Sequence, residues 1–237
     1  MTAMPARIAP SADLCRALKR GRAREALAHA GAEDADLATL FRLAVDLRPN
    51  PRNLTRMARR LARLPGVLRV TAAEGGGLIL LARNLRRVVT RAEAAELFAE
   101  EALLYIRIGL VPGRRAPGFT LLRLSFCLHA LERLVERSAV PLDAPLLPTL
   151  DAEAVGLLRN LATGGLIEDA GDQFLPARAE GVWAGSLDET SLEPDWNLVP
   201  TAETPLRLFS ARTFLGPDQM RPTLWARWRG DPALSVA

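Results

Sequence analysis

Lysine is almost missing from this chain. Of 31 basic residues only Lys19 is a lysine, so the remaining thirty are arginines. Histidine is confined to His29 and His129, and cysteine to Cys15 and Cys127. Two cysteines exclude a disulfide scaffold and a four-thiolate zinc site. Two histidines far apart exclude the HExxH zinc helix, and the single lysine lacks the glycine frame of a phosphate loop. No apolar run approaches the roughly 18 residues that a membrane-spanning helix needs. The N-terminus shows no continuous apolar leader segment. The expected setting is the cytoplasm, with both thiols buried and reduced, and the expected complement of metals and cofactors is none.

What is present is an ordinary folding composition. The chain has 237 residues, 49% hydrophobic and 24% charged, which suits a packed core and not a disordered segment. A net charge of +4 permits a nucleic-acid partner without demanding one.

Periodicity and turn residues give the layout. Helices are expected over 11–30, with Ser11 as cap and Gly31 as stop, over 34–47, and over 53–64. The third carries Arg56, Arg59, Arg60 and Arg63 on one side and Met57, Leu61 and Leu64 on the other. Residues 67–71 and 78–81 read as strands joined through Glu74-Gly75-Gly76-Gly77. A strand, not a helix, follows those glycines, so a dinucleotide-binding turn is excluded. Thr90-Arg91-Ala92-Glu93 has the form of a capping box and predicts a helix to about Leu104. Residues 112–118, rich in proline and glycine, are the expected linker.

The second half predicts a short strand over 119–124, a helix around His129 ending near Ser138, and a helix from Asp151 to Ala162. Strands are then expected at 166–168, 173–177, 181–185 and 206–214, with 186–204 as a surface loop. Trp183, Trp196, Trp225 and Trp228 are expected in the core or over the sheet. The fold class is α+β: N-terminal helices with a β-hairpin, then C-terminal helices packed on an antiparallel meander. The expected division is 1–113 and 114–237.

The chemistry-bearing stretch is Cys127-Leu128-His129-Ala130-Leu131-Glu132-Arg133-Leu134-Val135-Glu136-Arg137. At helical spacing His129, Arg133 and Arg137 share one stripe at i, i+4 and i+8, beside Glu132 and Glu136. An imidazole can exchange a proton near neutral pH, and guanidinium groups can clamp phosphate oxygens. The same stripe is also the pattern of a solvated amphipathic helix face.

The order helix, helix, strand meander with a closing Arg-Thr pair resembles the metal-independent ribonucleases grouped around barnase, colicin-type nucleases and RelE-type toxins. The string His129-Ala130 … Arg133 … Glu136-Arg137 is similar to the HAxxRxxER pattern of small toxin-like proteins of that kind. The resemblance spans residues 120–220 at most. It implies RNA cleavage through the ribose 2′-hydroxyl, with His129, Arg133, Arg137, Arg212 and Thr213 as catalytic residues and an inhibitor protein as a partner. Two other readings use the same elements. One is a non-enzymatic interaction or regulatory protein. The other is a winged-helix DNA reader built on residues 151–174, which the acidic Glu168, Asp169 and Asp172 disfavour by repelling phosphate.

Overall fold

The computed structural model describes residues 12–92, 95–113, 117–141, 143–189 and 206–230. Three helices come first: α1 (Ala12–Ala32), α2 (Leu37–Ala44) and α3 (Pro51–Leu61). Asp36 starts α2 by accepting the Thr39 amide at 2.9 Å. Asn50 starts α3 by accepting the Arg52 amide at 2.9 Å, and Pro51 follows with a φ already suited to a first turn. These caps move the helix starts a few residues from the positions periodicity gave.

Four strands follow: β1 (Val67–Ala73), β2 (Gly77–Ala92), β3 (Ala95–Val111) and β4 (Gly118–Cys127). The β1–β2 turn is where the sequence placed it. Gly75 and Gly76 there hold φ of +84° and +88°, values that a Cβ disfavours. The helix expected from Thr90 to Leu104 does not form. The described residues of that stretch lie in β2 and β3, which pair antiparallel from Leu78↔Leu110 to Ala92↔Ala95. Further along β3 the reason is visible. Leu104, Ile106, Ile108 and Leu110 enter one core while Leu103 and Tyr105 enter another. Burial on both faces of a strand outweighs a local capping pattern.

The expected linker 112–118 connects two paired strands, since Val111 on β3 lies opposite Gly118 on β4; residues 114–116 are outside the described residues. The 113/114 division falls in this connection, so both sides contribute to one sheet.

The rest of the chain is α4 (Leu128–Arg137), α5 (Leu146–Ala162), β5 (Ile167–Asp169), β6 (Asp172–Pro176), β7 (Val182–Glu189), β8 (Arg207–Leu215) and α6 (Pro222–Arg229). The first residues of the expected 186–204 loop belong to β7; 190–204, with Trp196, lie outside the described residues. Strand order is β1-β2-β3-β4-β8-β7-β6-β5. Two antiparallel meanders meet at β4 and β8, the one parallel pair among them. The class is α+β, as expected.

Helices cover both faces. Against one face lie α1, α4 and α5, burying Ala26, Leu131, Leu134, Leu150 and Leu157 against Leu103, Phe126, Trp183 and Phe214. Trp183 centres this core, tilted against Phe126 at 4.6 Å and edge-on to Phe214 at 5.3 Å. Its indole N–H donates to Glu153 at 3.3 Å, so its one polar atom is satisfied. Against the other face lie α2 and α3, through Leu40, Phe41, Met57 and Leu61. Trp225, unlike Trp183, is exposed.

The β5–β6 hairpin is an edge of this sheet, not a free wing: β6 pairs with β7 from Gln173↔Gly185 to Pro176↔Val182. Asp169 in it is buried and is bound by Arg221.

Candidate functional site

Helix α4 builds the first candidate. Ala130, Leu131, Leu134 and Val135 are its buried face, which leaves His129 exposed and Arg133 half-buried on the outside. Arg133 Nε donates to His129 Nε2 at 3.4 Å, a long contact, and its Nη1 pairs with Glu136. Arg137 turns inward, donating from Nη1 to the Phe214 carbonyl at 2.8 Å. Its charge therefore fastens α4 to β8. Glu132 approaches Arg20 of α1 at 4.0 Å, and the Lys19 ammonium donates to the Glu136 carbonyl at 3.4 Å.

Arg212 and Thr213 do not join this group. Helix α4 sits over Phe209, Ala211 and Phe214, so those side chains define its side of β8. Opposite β7, Ala184 faces Thr213 while Gly185 faces Ala211. One extra residue, Arg212, is thus inserted in β8 as a bulge. Arg212 Nη2 reaches Ser186 Oγ at 3.4 Å. Both Arg212 and Thr213 line a hollow with Phe174 and Leu224, a cluster separate from the one under α4. The sheet stands between these two residues and His129, because side chains on its opposite faces point apart. Of the five residues singled out in the sequence, three share α4 and two lie across the sheet.

Helix α3 builds the second candidate. At 100° per residue Arg52, Arg56, Arg59 and Arg60 fall within an arc of about 100°, and Arg63, in the turn that follows α3, lines the same hollow. Met57 and Leu61 are buried on the opposite side. All five arginines are exposed. With Thr55 and Pro51 they line an open surface hollow of about 610 Å³. Among the described residues, none of the five has an acidic partner within ion-pair distance, whereas many other arginines do. Arg22 pairs with Glu25, Arg83 with Asp151 and Glu33, Arg221 with Asp169 and Asp172, and Arg229 with Glu180. The α3 face is therefore a cationic surface whose charge the described residues do not neutralise.

Among the described residues no group of three or more His, Cys, Asp or Glu side chains could hold a metal ion. No helix there is long and apolar enough to cross a membrane. Cys127 is a half-buried thiol outside any disulfide, and its sulfur donates to the Arg212 carbonyl at 3.7 Å. No family model matches this chain, and no curated protein and no solved structure matches it either.

Proposed function

We propose that this protein binds RNA, holding the phosphate backbone along α3. One observation carries the reading: five exposed arginines on α3 and the turn after it, with no acidic partner among the described residues. Guanidinium groups stay charged and match phosphate oxygens with a planar, two-pronged donor set. From Arg52 to Arg60 the helix runs about 12 Å, enough to engage more than one phosphate. No aromatic residue occurs between 51 and 64, so the face lacks a base-stacking platform. Recognition is by backbone charge and independent of base sequence.

The test is fluorescence anisotropy with a short single-stranded RNA at low salt. The triple reversal Arg56→Glu/Arg59→Glu/Arg63→Glu should abolish binding while leaving the circular dichroism spectrum unchanged. A folded triple variant that still binds would overturn the reading. Duplex DNA competing as well as RNA would reassign the surface to nucleic-acid backbones in general.

A second reading, metal-independent cleavage of the bound RNA, rests on the contact between Arg133 Nε and His129 Nε2. That pair is open to a substrate, and it lacks the support of Arg212 and Thr213. In this reading RNA is cut in excess EDTA and His129→Ala stops the cutting. RNA that stays intact with the wild-type protein removes the enzymatic part and leaves the binding part standing.

A further inference from the structure

On the face of the sheet opposite α3, three more arginines meet with no acidic partner among the described residues. Strand register puts Arg69 of β1 beside Leu81 of β2, and Leu81 beside Arg107 of β3. Two guanidinium side chains thus stand in one cross-strand row, about 10 Å apart at the backbone with a leucine between them. The C-terminal half of α5 lies over this row and adds Arg159. Between helix and sheet is a cavity of about 340 Å³, floored by Ile79 and Leu81 and walled by Val155 and Leu158. Thr71 and Thr163 supply hydroxyl groups at its margin. No acidic side chain lines it among the described residues.

The contrast along α5 is informative. Two turns earlier the same helix offers Asp151 to Arg83 of β2, at 2.8 Å. There the fold neutralises a sheet arginine with a helix carboxylate. At Arg159 it brings a third cation to two others. Arg69 and Arg159 are exposed and Arg107 is half-buried, so water screens much of their mutual repulsion, and an anion among them would meet three guanidinium donors beside apolar walls. A cavity near the lower end of the usual ligand-pocket range of about 300–1,000 Å³ suits a small molecule and not a polymer.

We infer that the cavity between α5 and the β1–β3 strands binds a small phosphomonoester with an apolar body, its phosphate held by Arg69, Arg107 and Arg159. The apolar body lies on Ile79, Leu81 and Leu158. This site is separate from the α3 face and does not depend on RNA binding there.

Isothermal titration calorimetry with phenyl phosphate tests it on the full chain. The expected result is saturable binding with a one-to-one ratio and a dissociation constant below about 1 mM. Inorganic phosphate should bind about tenfold more weakly, and phenol should not bind. Arg107→Gln and Arg159→Gln should each weaken phenyl phosphate about tenfold or more, since each removes a charge-assisted hydrogen bond. Arg159 is exposed, so its variant tests the site even if Arg107→Gln fails to fold. Arg42→Gln, on α2 across the sheet, should change nothing. Three outcomes would overturn the proposal: no saturable binding to the wild-type protein at millimolar phenyl phosphate, equal binding by inorganic phosphate, or full affinity in folded Arg159→Gln.

Discussion

Arg83 is the residue whose role is least visible in the sequence and most consequential in the fold. Its side chain is 3% exposed, and Nη1 donates to both Asp151 oxygens at 2.8–2.9 Å. Tyr105 donates its hydroxyl to the same carboxylate at 2.7 Å. Burial first, and the Asp151 charge second, push that hydroxyl's pKa well above its ordinary 10. It therefore stays a donor through the neutral range. Asp151→Ala should cost about 3–5 kcal/mol by urea denaturation, because it leaves a buried cation with only the exposed Glu33 carboxylate and removes the acceptor of Tyr105. Glu33, the second partner, is largely exposed, and Glu33→Gln should cost under about 1 kcal/mol. Nothing local announces the Arg83–Asp151 pair, since 68 residues separate the partners. The amphipathicity of α4 was legible. Leu131, fully buried, should cost about 2–5 kcal/mol on replacement by Ala. Exposed His129 should cost no more than about 0.5 kcal/mol. Equal losses at the two positions would show that the imidazole is a packing residue.

At the scale of elements, what depends on near neighbours was readable and what depends on pairing partners was not. The expected helix at 53–64 is close to α3, because Asn50-Pro51 and a one-sided apolar pattern act within a turn or two. The β5, β6 and β7 strands lie near their expected places because their alternation is local. The helix expected over 90–104 failed because β2 and β3 supply each other's hydrogen bonds from Leu78↔Leu110 to Ala92↔Ala95. A capping box cannot report a partner strand. The β8 bulge at Arg212 was equally hidden, since it depends on register against β7. Helix α2 offers a local test with a pH signature. The Thr39 hydroxyl and amide hold the Asp36 carboxyl below its ordinary value, because both stabilise the ionised form. A lowered folded pKa means the cap's contribution is present above the unfolded carboxylate range and lost as pH falls through the folded value. Asp36→Ala should therefore cost about 0.5–2 kcal/mol near neutral pH. The gap from the wild-type protein should close in acid. A gap that stays constant with pH would mean the carboxylate is not the cap.

The whole molecule explains why a small net charge conceals a cationic surface. Its +4 averages over arginines that carboxylates neutralise, such as Arg83 and Arg221, and arginines that they do not. The unneutralised ones on α3 lie on one face of the sheet, with α5 covering the other. The sequence showed the α3 arginines as a row but not that, among the described residues, no acidic side chain pairs with them. Likewise it could not show that Arg69, Arg107 and Arg159, scattered over ninety residues, share a cavity. The central claim is that α3 binds phosphates by charge. The salt dependence of RNA affinity tests this most directly, comparing the wild-type protein with Arg56→Gln/Arg59→Gln/Arg63→Gln. Each phosphate contact releases counterions and steepens the plot of log affinity against log salt by about 0.7–0.9. The slope should therefore become shallower by about 2–3 in the triple variant. An identical slope in the two proteins would place the RNA elsewhere and contradict the claim.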